Sequence, residues 1–231
     1  MPAITVFLLC MTSEAAGLGV TRALPRVQAT RPHGRALALR GGGVDMGPAG
    51  LGAAYASSLA AKPILTKSLT SGAIFALSDI VGQTIAPAPE GRDLKRTITS
   101  LLVGLCYFGP ALHYFLAWIT RIVPAVGVVP TILKTLLGQS LFGPTITSVF
   151  FGAALVSSSG LVAGLQQWPA KIRQDLFKTW AAGLCFWPFV DVACYGLVLP
   201  FFGARWISLC YNIASFFWTI FLSLQAARQV A

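Results

Sequence analysis

The sequence predicts an all-α integral membrane protein: a bundle of four transmembrane helices plus a further C-terminal apolar helix that either spans or packs. Three observations predict it. Of the 231 residues, 55% are hydrophobic and 10% charged, where a water-soluble domain carries about 25% charge. Mean hydropathy is +0.73. The apolar residues also gather into runs of about twenty, the length that crosses a hydrocarbon core of about 30 Å.

The formal net charge of +10 comes from 17 Lys and Arg against 7 Asp and Glu. These cations are scattered between the apolar runs and form no single stripe, so they read as loop charges facing lipid headgroups and not as a nucleic-acid surface. The five cysteines form no CxxC pair, and four of them lie inside apolar runs. With two histidines in all, no metal site is expected. No cofactor is expected either.

Residues 1–45 differ from the rest. They carry Arg22, Arg26, Arg31, Arg35 and Arg40, no lysine, and acids only at Glu14 and Asp45. An Arg-rich, acid-poor leader predicts a cleavable organelle-targeting transit peptide, with a disordered tail as the alternative. Residues 46–231 then form a single multispanning domain.

The first span is expected at about 64–86. On a 100° wheel Ser68, Gly72, Ala76, Asp79 and Gln83 share one arc, and Ile74, Leu77 and Val81 lie opposite. The small residues suit close helix approach, and the acid and amide should point into protein or water. After the polar connection APAPEGRDLKR, Asp93 suits a helix start. The second span, about 98–119, contains Gly109 and Pro110, which predict a kink, with His113 one turn beyond. His113 is either a proton-sensitive site or a partner of a neighbouring helix.

The third span, about 132–157, carries Gln139, Gly143 and Thr147 on one face, and Pro144 as a second kink. Gln139 either bonds across helices or lines a cavity. The stretch 157–178, with Trp168, Lys171, Arg173 and Lys178, reads as an interfacial segment. A fourth span is expected at about 180–201. It contains Trp187 and Pro188, a third kink, and Asp191 on an arc shared with Gly183 and Cys194, away from Leu184 and Phe189. The last run, 206–224, holds Asn212 and Trp218 and is long enough to span or pack.

Each apolar run therefore contains a strongly polar side chain: Asp79 and Gln83, His113, Gln139, Asp191, then Asn212. A charge at the bilayer centre costs about 2.5–3.5 kcal/mol on insertion scales, so the two acids need partners or water. These six residues are the candidate intramembrane or pore-lining positions. An enzyme is not expected: G-x-S-x-G and H-E-x-x-H are absent, and an aspartyl pair of Asp79 with Asp191 would lack any flanking motif.

The stretch KPILTKSLTSGAIFALSDIVGQ resembles the first-span signature of the Mpv-seventeen and twenty-two-kilodalton peroxisomal membrane protein family. Further matches are Asp93 with Arg96-Thr97, Gly109-Pro110 with His113-Tyr114, Lys134 with Gln139 and Pro144, Trp187-Pro188, and Asn212 with Trp218 and Leu222-Ser223. The resemblance covers about 55–225. One block departs from the pattern: where the family usually shows WP..Q..NF, this chain has Asp191 and Cys194-Tyr195.

The resemblance implies a small protein with four transmembrane helices in the mitochondrial inner membrane, or alternatively a peroxisomal or plastid membrane. It implies a weakly selective channel for ions or small metabolites that supports organelle homeostasis. The alternative is a non-conducting structural or scaffolding subunit. The expected partners are the lipid bilayer, small ions or metabolites, and further copies or a membrane complex, with no nucleic acid.

Overall fold

The computed structural model describes residues 48–87 and 91–228, with the side chains of 50–87 and 91–220. The leader 1–45 lies outside the described residues. Among those residues the fold is helical throughout, without strands. Seven helices follow in order: α1 (Pro48–Ala61), α2 (Pro63–Ile85), α3 (Leu94–Ile122), α4 (Val128–Ser159), α5 (Leu161–Gly183), α6 (Trp187–Phe202) and α7 (Ala204–Arg228). Three of them, α2, α3 and α4, are long and apolar enough to cross a membrane, and α5 with α6 makes a fourth if the bent pair is one span.

Hydrocarbon offers backbone groups no partners, so the helical ladder has to be complete along each apolar run. The prolines challenge this ladder, and the chain answers in one way three times. Just before Gly109-Pro110, Gly143-Pro144 and Leu199-Pro200 the helix widens into π turns, at Val103–Phe108, Gly138–Phe142 and Cys194–Val198. The residue ahead of each proline bonds five residues back: Gly109 to the Gly104 carbonyl, Gly143 to Gly138, and Leu199 to Cys194. A proline ring crowds the carbonyl four residues earlier, and a wider turn gives that ring room. Helical bonding therefore runs on through Pro110 and Pro144 without a break.

The break falls elsewhere. The expected fourth span at 180–201 is cut by a turn at 184–186, so its first residues end α5 and Trp187-Pro188 begins α6. At the first turn of a helix the missing proline N–H costs nothing. The axes of α5 and α6 meet at 47°. The stretch expected to lie along the interface is mostly α5. Trp168 donates its indole N–H to the Ser148 carbonyl at 2.7 Å and so packs on α4.

The helices approach closely between α2 and α3, where the small residues expected from the sequence meet. A Cβ on Gly104 would come within 2.6 Å of the Ser71 carbonyl oxygen, and one on Gly109 within 2.5 Å of the Ser68 Cα. Around this seam lies the core, built from Phe75, Phe108, Leu112, Phe115, Ile119 and Phe142, and closed by Tyr195, Ile207 and Tyr211 from α6 and α7. The outer surface is apolar too: Leu65, Leu69 and Leu77 on α2, Leu133 and Leu136 on α4, and Phe189 and Phe201 on α6 are exposed. Ile74, expected on this lipid face, is instead half-buried against the core.

The seam predicts a contrast between two glycines. Gly104→Ala should destabilise the detergent-solubilised protein by about 1–3 kcal/mol, because backbone faces the added methyl group. Gly196→Ala, where nothing lies within 4 Å, should melt like the wild type. Paired thermal melts check this, and equal shifts would contradict it.

Candidate functional site

Two polar clusters sit inside this apolar shell. The first joins the end of α2 to the start of α3. Asp79, 1% exposed, accepts from the Arg96 guanidinium at 2.7 Å on Oδ1. On Oδ2 it accepts from Gln83 Nε2 and Thr97 Oγ1, each at 2.7 Å. Gln83 then returns to the loop: its Oε1 accepts from the Asp93 backbone N–H at 2.7 Å, and its Nε2 donates to the Asp93 carbonyl at 3.0 Å. Asp93 caps α3 through its side chain on the Arg96 N–H at 3.0 Å, so both acids face the positive end of the α3 dipole. Arg96 was expected among the loop charges. Its head instead folds inward to give Asp79 a countercharge, which resolves how this carboxylate is held within the bundle.

The second cluster joins α4, α6 and α7. Asp191, 2% exposed, accepts from the Tyr211 hydroxyl on Oδ1 and from Gln139 Nε2 at 2.8 Å on Oδ2. The carbonyl of Gln139 in turn accepts the Trp180 indole N–H at 2.7 Å. Gln139 lies within the π turn of α4, and its side chain reaches Asp191 on α6. No ion pair among the described residues involves Asp191.

A cavity of about 780 Å³ connects the two clusters and draws its wall from α2 through α7. Asp79 and Arg96 stand toward one end, with Lys95, Asp93 and Lys171. Gln139, Asp191 and Tyr211 stand on the wall contributed by the middle of α4, α6 and α7. Phenylalanines 75, 108, 142 and 150 line the stretch between. The Arg96 end meets the surface, since the Arg96 side chain is 45% exposed.

Of the six candidate residues, Asp79, Gln139 and Asp191 are on this wall. Gln83 is behind it, in the α2–α3 cluster. His113 pairs through Nδ1 with Lys67 Nζ at 3.1 Å, between α2 and α3. Asn212 is 1% exposed on the neighbouring α7 face, and its Oδ1 finds no donor among the described residues. Neither residue is in the cavity lining, and of the two His113 forms the interhelical bond. The structure adds Arg96, Thr97, Trp180 and Tyr211, which the sequence reading did not select. Tyr211 adjoins Asn212, but only the fold shows that it reaches back 20 residues to Asp191.

Comparison with known proteins finds similarity over most of the chain. It is 27% identical over 173 residues to PXMP2/4 family protein 1 of Dictyostelium discoideum, covering 75% of this chain and 83% of that one. It is 29% identical over 147 residues to the mitochondrial inner membrane protein Mpv17 of Xenopus laevis, covering 63% and 81%. The human Mpv17 is 28% identical over 180 residues, covering 76% and 97%. No family model and no solved structure matches the chain.

The α2–α3 cluster yields a double-mutant prediction. Arg96→Leu leaves a buried carboxylate with only neutral donors and should cost about 3–5 kcal/mol. Asp79→Asn leaves a half-exposed guanidinium that water can reach, and should cost about 1–3 kcal/mol. Adding Asp79→Asn to Arg96→Leu should restore stability relative to Arg96→Leu alone. Thermal melts of the three variants test it, and simple additivity would contradict the ion pair.

Proposed function

This chain is one of the Mpv17 and PXMP2/4 family of membrane proteins, and on that premise we propose that it forms a weakly selective permeation path for ions or small metabolites. The relatives named for the mitochondrial inner membrane put it in an organelle membrane, that one foremost, with the peroxisomal membrane as the alternative. In this reading α2, α3 and α4 each span, the bent pair α5–α6 makes the fourth span, and α7 returns across the bundle.

The observation that carries the proposal is the cavity with its two polar ends. A passive anchor gains nothing from an internal space of about 780 Å³ shared by six helices, and unfilled space weakens packing. Asp79 with Arg96 forms the rim, where the opposite charges balance. Gln139, Asp191 and Tyr211 form a hydrogen-bonded bridge across α4, α6 and α7, at the place where a path would be narrowest. Beyond it, Lys134 and Tyr195 are each 1% exposed and obstruct the way, so passage requires α6 to move against α4. The 47° break between α5 and α6 is the place for such a hinge, since the α-helical bonding gives way there to three-residue turns at Cys185 and Phe186.

A second reading, a non-conducting structural subunit, draws on the α2–α3 cluster, whose polar groups satisfy one another within the protein. The two readings diverge in planar bilayers. Purified protein should conduct, and Asp191→Asn should lower the cation-to-anion permeability ratio about severalfold by removing a fixed charge at the narrowest point. Currents identical in wild type and variant would remove Asp191 from the path. Absence of any current, together with lost assembly in the variant, would favour the structural subunit.

A further inference from the structure

The inner part of the cavity combines one acid with several aromatic side chains. Tyr211 and Gln139 donate to Asp191, but neither neutralises it. Lys134, a turn before Gly138 on α4, is committed elsewhere: its Nζ donates to the Ala125 carbonyl at 2.8 Å and lies over the Tyr195 ring at 5.7 Å. A carboxylate offers about four lone-pair sites, and the hydrogen bonds to Asp191 occupy two of them. The space beside it is walled by Trp180, Trp187 and Trp218. The Trp187 ring lies 6.3 Å from Tyr211 and 5.9 Å from Trp218.

Three glycines border the space. A Cβ on Gly183 would come within 3.2 Å of Trp187 Cδ1 and 3.9 Å of Trp218, one on Gly143 within 3.9 Å of Trp180, and one on Gly138 within 4.0 Å of Asp191 Oδ2.

From this arrangement we propose that the inner cavity is a binding site for a small organic cation, an alkyl-substituted ammonium. Ring faces attract cations through their quadrupole, and tryptophan does so best. Asp191 supplies the opposite charge and rejects anions. A small inorganic ion would surrender its water shell for a single carboxylate, whereas an alkylammonium is weakly hydrated and gains from the apolar wall. The rim does not oppose entry: Lys95, Arg96 and Lys171 are matched there by Asp93, by Asp79 paired with Arg96, and by Asp175 paired with Lys171 at 2.7 Å. The proposal deepens the permeation reading by naming the class admitted, and rests on that reading only for passage.

Isothermal titration of the full chain in nanodiscs tests it, with choline chloride as the cation and 3,3-dimethyl-1-butanol as its uncharged isostere. Choline should bind saturably and about tenfold or more tighter than the alcohol. Asp191→Asn should weaken choline about tenfold and leave the alcohol unaffected, and Asp191→Glu should retain most of the affinity. Equal binding of the two probes by the wild type, or no saturable choline binding up to about 50 mM, overturns the site. So does wild-type choline affinity in Asp191→Asn. Choline binding without bilayer currents would sink the permeation path and keep the site, and currents without choline binding would do the reverse.

Discussion

Asp79 is nearly inaccessible in a bundle whose outer surface is leucine and phenylalanine, and one end of the fold is arranged around satisfying it. A buried carboxylate without partners costs several kcal/mol. Here a guanidinium, an amide and a hydroxyl converge on its two oxygens. The same contacts fix where α2 ends and where α3 begins. Because Gln83 also holds both backbone groups of Asp93, the α2–α3 hairpin has one register. That register brings Gly104 and Gly109 against Ser71 and Ser68, and the seam in turn sets the position of the phenylalanine core.

The second acid is treated differently. Asp191 receives neutral donors from two other helices and lines the cavity, with no cation paired to it among the described residues. The contrast explains how one small bundle can hold two buried carboxylates with unlike consequences. Asp79 is a joint, and its charge is cancelled where it stands. Asp191 is a port, held in orientation by Gln139 and Tyr211 and without an ion pair among the described residues. The π turns serve this arrangement, because the one in α4 carries Gln139 and the one in α6 begins at Cys194, less than a turn after Asp191.

Much of this was legible in the sequence for local reasons. The arc of Ser68, Gly72, Asp79 and Gln83 follows from helical geometry, and it is the face α2 buries. Asp93 as a helix cap follows from its side chain and its place after a polar loop. Gly109-Pro110 and Gly143-Pro144 marked irregular helix, but composition does not say that the helix widens into a π turn ahead of each proline. The turn at 184–186 was invisible because Leu184, Cys185 and Phe186 are as apolar as their neighbours, so hydropathy runs straight across it. Leu161–Gly183 was hidden for the opposite reason: its charges made a helix look like a connection. Arg96 with Asp79 and Tyr211 with Asp191 are contacts between helices, and no periodicity within one helix encodes them.

The account stands on a water-accessible cavity inside the bundle, and the most direct measurement is cysteine accessibility from the aqueous phase. Thr147 lies on the cavity wall, whereas Leu136 is 57% exposed on the outer, apolar face of the same helix. With protein reconstituted in liposomes, Thr147→Cys should be modified by a charged, membrane-impermeant thiol reagent, read by peptide mass spectrometry, and Leu136→Cys should remain protected by lipid. Protection of both positions, or labelling of Leu136→Cys in preference to Thr147→Cys, would contradict a hydrated interior and with it the functional reading.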